Sequence, residues 1–264
     1  MDLATLIGLL LGFAAIILGF FLEGGQAGAL FSLTAAIIVF GGTIGATVVS
    51  FNLKDLKRVP VLLVLAFKER EYDKDELIEQ IVNIAVQARR DSLLSLEDSL
   101  EGIDDKFLKR GLQLIIDRID TPVLRDVLEN DIYYMEERHR TGISMFDTAG
   151  GYAPTMGIIG TVIGLINVLG RMSSPDTIAP AIAVAFIATL YGIASANLFW
   201  LPIAAKLKAK NSDEILYRSL TVEGLLAIQE RENPNFIEEK LQSFLEEKDH
   251  KTERAVRRVK DEVA

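Results

Sequence analysis

The side chains with chemistry to offer inside the apolar parts of this chain are hydroxyls, set among glycines and alanines. In YAPTMGIIGTVIGL (152–165), Gly157, Thr161 and Gly164 fall on one helical face, and Thr155 precedes them in the same segment. In AFIATLYG (185–192), Ala185, Thr189 and Gly192 share a face in the same way. Two arrangements fit. The small faces pack helix against helix, with each hydroxyl bonded back to its own backbone. Or they line a narrow polar path beside a partner's helix, where Thr155, Thr161, Ala185 and Thr189 border water or a stripped cation. Oxygen ligands suit a hard cation such as Na+; the same hydroxyls also order a water chain for protons.

Four apolar stretches hold these residues: Leu3–Leu22, Leu30–Phe51, Gly151–Gly170 and Ile178–Ala205. Crossing a bilayer takes roughly 20 residues at about 1.5 Å rise each, so each is long enough to span. None contains Asp, Glu, Lys, Arg or His. Ion movement through a membrane ordinarily uses an ionisable group at depth. If this chain takes part in it, the carboxylate must come from another subunit.

The expected fold is all-α, a polytopic membrane protein with four transmembrane helices and a helical cytoplasmic domain. Residues 1–51 form the first hairpin (spans 3–22 and 30–51), and 151–205 the second (spans 151–170 and 178–205). Residues 52–150 and 206–264 are charged blocks. Of the 28 Lys and Arg, 15 lie in the first block and 12 in the second, against one in the two short connectors. The positive-inside bias then puts both blocks and both termini in the cytoplasm of a multi-pass inner-membrane protein. A first span starting at Leu3 with no basic residue before it reads as a retained helix rather than a cleaved signal. The net charge of −9 argues against nucleic acid as a partner, and the lack of cysteine removes disulfides and thiolate metal sites.

Helical periodicity marks the blocks. Leu77, Ile81, Ala85 and Ala88 recur in 73–91, with Asp73 and Glu76 as a start signal. Phe107, Leu108, Leu112, Ile115 and Ile119 mark a second helix. Thr121-Pro122 opens a third, which runs through 135–140 into the third span. The tail from Lys248 is charged and has no apolar stripe, so loose order is expected there. Pro154 falls in the first turn expected for span three, where a missing N–H costs nothing. Pro202 lies within span four and should kink it, as a static bend or as a hinge. In QARRDSLLSLED (87–98), Arg89, Arg90 and Glu97 fit either a partner-docking surface or a solvated helix end. His139 in EERHR lacks metal-site spacing and reads as a solvated face. No Walker loop, nucleophile elbow or dinucleotide fingerprint occurs, so no enzyme chemistry, metal site or cofactor is expected.

With these residues in view, the chain resembles the A subunits of bacterial flagellar stators, a group including MotA, PomA and MotP with the wider ExbB and TolQ. YAPTMGIIGTVIGL, AFIATLYG and ARRDSLLSLED carry the resemblance, which covers nearly the whole chain. Four spans favour the flagellar branch over the three of ExbB and TolQ. The resemblance implies five A subunits around two MotB-, PomB- or MotS-like B subunits, each B subunit supplying the missing carboxylate. It implies that ion flow turns the A ring against the rotor protein FliG. It also implies roles: Arg89, Arg90 and Glu97 at the rotor interface, Pro154 and Pro202 in coupling, Thr189 near the partner's carboxylate. Thr161 matches a position that is threonine in sodium-driven members, so transient Na+ near Thr161 and Thr189 is the expected cargo, with H+ the alternative. An ExbB/TolQ-like energiser and a non-conducting membrane scaffold are the rival readings.

Overall fold

The structure, a computed structural model, describes residues 3–68, 72–91, 93–170 and 178–245. The connector 171–176, the tail from Lys248 and Arg171 lie outside them. Among the described residues there are helices and no strand. Four helices are long and apolar enough to cross a membrane: Thr5–Leu22, Gly28–Ser50, Thr121–Leu169 and Ala181–Gln229. A helix satisfies its backbone within itself, which is what lipid demands.

Contacts divide the chain into an apolar unit, residues 1–70 and 137–211, and a charged unit, residues 71–136 and 212–264. Two helices, Thr121–Leu169 and Leu201–Gln229, run through the divisions in sequence. The helical backbone therefore continues through 150/151 and 205/206, where the composition changes.

In the apolar unit, α1 is Leu3–Leu22. The second span, Gly28–Ser50, does not open in α-helix. A 3-10 turn covers Ala27–Leu30, Phe31 and Ser32 are extended, and α2 (Leu33–Ala36) starts after Ser32. The cause is local: Ser32 Oγ accepts from Ala35 N at 3.2 Å, an N-cap within the apolar run. A π segment, Ile37–Gly41, leads into α3, Gly42–Ser50. Val39 in that segment is fully buried with Ala35 and Ala188. Short helices α4 (Leu53–Leu56) and α5 (Val59–Phe67) follow. The end of α5 packs through Ala66 on Phe146, Ile203 and Leu207.

In the charged unit, α6 (Lys74–Arg90) starts where Asp73 accepts from Glu76 N at 2.9 Å. Leu77, Ile81, Ala85 and Ala88 are buried, as their spacing requires. Helix α7 (Lys106–Ile116) is capped by Asp105, which accepts from Phe107 N and Leu108 N. It ends before Ile119. Arg118 turns left-handed (φ 60°), and Ile119 N bonds Leu114 O while Arg118 N bonds Ile115 O, a Schellman closure. Ile119 thus packs on the core from beyond the helix. Leu124 and Leu128 of α8 (Thr121–Leu169), Leu220 and Leu225 of α10 (Leu201–Gln229) and Ile237 of α11 (Pro234–Gln242) complete this core. Full burial of each such side chain is worth about 1.5–3 kcal/mol. Glu223 ties the surface of this core together, 2.9 Å from Arg125 and 3.2 Å from Lys240. Burial pushes the Glu223 carboxyl up, but hydrogen bonds from Arg125 and Lys240 outweigh it and hold the group below the usual range.

Candidate functional site

The small faces of the third and fourth spans meet each other. Helix α9 is Ile178–Ser195. A Cβ on Gly157 of α8 would sit 2.9 Å from Ala188 O and 3.2 Å from Thr189 Cα. One on Gly192 of α9 would sit 2.6 Å from Ala153 O and 3.0 Å from Gly157 Cα. One on Gly164 would meet Ala185 Cβ at 2.7 Å. Backbone touches backbone along this seam, which only glycine allows.

Thr161 and Thr189 face each other across it, their hydroxyl oxygens 2.5 Å apart. Thr161 Oγ1 also lies 2.9 Å from Ala185 O and 3.1 Å from Gly157 O. Two hydroxyls and two carbonyls thus cluster at one level, Thr161 and Thr189 half-buried and Gly157 and Ala185 buried. The other path candidates are placed differently. Ala185 is sealed inside the seam at 1% exposure. Thr155 is exposed, its hydroxyl donating to Tyr152 O at 2.8 Å.

The prolines depart from the sequence expectation in their setting. Pro154 is not in a first turn: α8 begins at Thr121, so Pro154 sits deep inside a helix. Its missing N–H leaves the Gly150 carbonyl without its usual i+4 donor. Pro202 follows a π segment, Ala196–Trp200, in which the Leu201 N–H reaches back to Ala196 O. The register has already shifted where Pro202 arrives, so a proline is accommodated one residue into α10.

Arg89, Arg90 and Glu97 are exposed. Arg90 closes onto Asp91, its Nη2 2.8 Å from Oδ2, and that guanidinium holds the Asp91 carboxyl below the ordinary carboxylate range. Among the described residues Arg89 and Glu97 form no ion pair with each other; Glu97 leads into a 3-10 turn, Asp98–Gly102.

Two polar positions were not singled out from sequence, Tyr191 and Lys210, and a third, His139, departs from its expected setting. Tyr191 donates to Leu30 O at 2.5 Å and accepts from Ser32 N at 3.3 Å, tying span four to the start of span two. A phenol inside an apolar run was the available signal, because a buried one needs a partner. Lys210 Nζ donates to Leu65 O at 2.7 Å, Ala66 O at 3.2 Å and Lys68 O, closing the C-terminus of α5. His139 is not on a solvated face: it is half-buried, with Nδ1 2.8 Å from Asn211 Oδ1. Both pairings join residues far apart in sequence, so periodicity carries no trace of them.

Comparison with known proteins fits this arrangement. The profile of the MotA/TolQ/ExbB proton channel family matches residues 99–220, and that of the motility protein A N-terminal region matches 6–91. Motility protein A of Bacillus subtilis is 42% identical over 250 residues, covering 94% of this chain and 93% of the relative. The chain belongs to the motility protein A family. Two solved structures share its fold. One is C. jejuni MotAB, with a TM-score of 0.89 at 32% identity, covering 94% of this chain and 97% of the other. The other is the flagellar MotAB stator complex from Bacillus subtilis, with a TM-score of 0.87 at 41% identity, covering 94% and 98%. The seam, the hydroxyl pair and the two long helices that cross from apolar to charged sequence are thus features of a member of this family.

Proposed function

We propose that this chain is the A subunit of a flagellar stator that couples cation entry to rotation. Five copies surround two B subunits, whose carboxylates face the Thr161–Thr189 level. The oxygen cluster at that level carries the reading: two hydroxyls and two carbonyls lie together in spans that have no ionisable side chain. Those oxygens favour Na+ over H+, since a hard cation takes oxygen ligands. Each charge moved through 100 mV supplies about 2.3 kcal/mol. Helices α8 and α10 carry the motion past Pro154 and Pro202 to the charged unit, which lies in the cytoplasm with both termini. There Arg89, Arg90 and Glu97 work against FliG.

Swimming speed in a strain lacking its own A and B subunits, given this chain and its B partner, tests the reading. Speed should rise with external sodium at fixed membrane potential, and Thr189→Val should abolish swimming at normal expression. Speed independent of sodium would assign protons as the cargo. Full swimming with Thr189→Val would remove the hydroxyl pair from the mechanism.

A further inference from the structure

Away from the seam, the apolar unit holds a cavity of about 100 Å3 between α3, α4 and the Phe146 and Trp200 side chains. Its walls are almost wholly apolar, with Ile44, Val48, Leu56 and Val59 among them. Two residues lining it carry a polar atom that is buried and bonded to nothing: Thr43 Oγ1 and Trp200 Nε1. Thr43 itself is 0% exposed. A buried polar group without a partner is rare and destabilising, so two beside one cavity call for a missing acceptor. A water fits less well: Thr47, the third polar side chain in the wall, already donates its hydroxyl to Thr43 O, which leaves two donors in need of one acceptor, short of the about three partners a buried water uses. What fits is an oxygen acceptor carried on an apolar body.

Leu56, in the cavity wall, sits in the sequence between Lys54 and Asp55 on one side and Lys57 and Arg58 on the other. Lys54, Lys57 and Arg58 are exposed, and among the described residues none of the three is in an ion pair. Basic segments beside a span attract anionic lipid. We propose that this cavity seats the ester end of an anionic phospholipid: its carbonyl oxygen accepts from Thr43 Oγ1 and Trp200 Nε1, and Lys54, Lys57 and Arg58 hold its phosphate. The inference rests on the membrane-spanning reading of the chain and not on stator activity.

Trp200 is the single tryptophan of the chain, so its fluorescence reports on the cavity alone. The full chain, reconstituted in vesicles, is titrated with phosphatidylglycerol or phosphatidylcholine brominated near the ester. Phosphatidylglycerol should quench Trp200 more, and saturably. Thr43→Val should weaken its apparent affinity about two- to tenfold, the range one neutral hydrogen bond carries, and Thr43→Ser should restore it. Joint replacement of Lys54, Lys57 and Arg58 by Gln should erase the preference over phosphatidylcholine. Equal quenching by the two lipids overturns the proposal. So does quenching unchanged by Thr43→Val; a raised melting temperature in that variant would then identify an orphan hydroxyl in an empty cavity. A folded chain is needed for these readouts but no motility, so a failed stator assignment leaves them intact.

Discussion

Gly192→Ala tests the seam most directly. The new methyl would lie 2.6 Å from the Ala153 carbonyl oxygen and 3.0 Å from Gly157 Cα. Both obstacles are backbone, so no rotamer change relieves them. Ordinary contact starts at 3.4 Å, so α8 and α9 must part by about 0.8 Å, the difference between 3.4 and 2.6 Å. The same movement at the hydroxyl level takes the Thr161–Thr189 distance from 2.5 to about 3.3 Å, and Thr161 to Ala185 O from 2.9 to about 3.7 Å. The second value is beyond hydrogen-bonding range. Overpacking costs about 1–3 kcal/mol and a lost hydrogen bond about 1 kcal/mol, so the variant should lose about 2–4 kcal/mol. Thermal unfolding of the reconstituted protein should show a midpoint several degrees lower. Gly45→Ala is the control: a Cβ there meets nothing within 4 Å, and helix propensity favours alanine by roughly 0.5–1 kcal/mol. If Gly192→Ala melts with Gly45→Ala and swims normally, the helices are not in backbone contact at this point and the reasoning fails.

Glu97→Lys reverses an exposed charge and should impair torque, measured by tethered-cell rotation, while leaving membrane level and ion conduction unchanged. Lys210→Met removes the donor that closes α5 and should cost about 1.5–3 kcal/mol in unfolding experiments, with Lys210→Arg losing less. The Glu223 carboxyl has a folded pKa below its ordinary value of 4.5, so its stabilisation is present above that pH and disappears as pH falls through the folded value. Unfolding midpoints should therefore be insensitive to this group near neutrality and drop in acid, a drop that Glu223→Gln reduces. The coupling of Glu223 to Arg125 should stay below about 1 kcal/mol in a double-mutant cycle, because the Arg125 side chain is 44% exposed and solvent screens it.

The all-α membrane architecture was legible because lipid leaves little choice: charge-free runs of this length become helices. The stripe Leu77, Ile81, Ala85 and Ala88 was equally readable, since one period fixes one buried face. What escaped were features set by single atoms or by distant partners. Ser32 sets the α-helical start within the second span through one hydroxyl bond. Arg118 ends α7 in a left-handed conformation that glycine ordinarily supplies, so no sequence signal marked the stop. Pro154 is a first-turn residue only if the third span is counted as starting at 151; the helix that Thr121-Pro122 opens runs on into that span, so the proline lies inside it. At the site, the small faces were visible, but both arrangements predicted them. The distances at Gly157, Gly164 and Gly192 establish that the faces meet each other.

That meeting bears on the proposed ion path. Thr161 and Thr189 already satisfy one another, so an arriving cation must first open a hydroxyl–hydroxyl bond. Opening it costs about 1 kcal/mol, less than the roughly 2.3 kcal/mol that one charge gains through 100 mV. The pair is therefore no barrier to a driven ion. It is also no resting place for one, because holding a bare cation away from water costs several kcal/mol unless an anion is beside it. With no acidic side chain in any span, this chain cannot provide that anion. Reconstituted alone in vesicles it should pass neither Na+ nor H+ down a gradient, and conduction should appear with the B partner. Gradient-driven flux through the chain by itself would refute the division of labour on which the proposed mechanism stands.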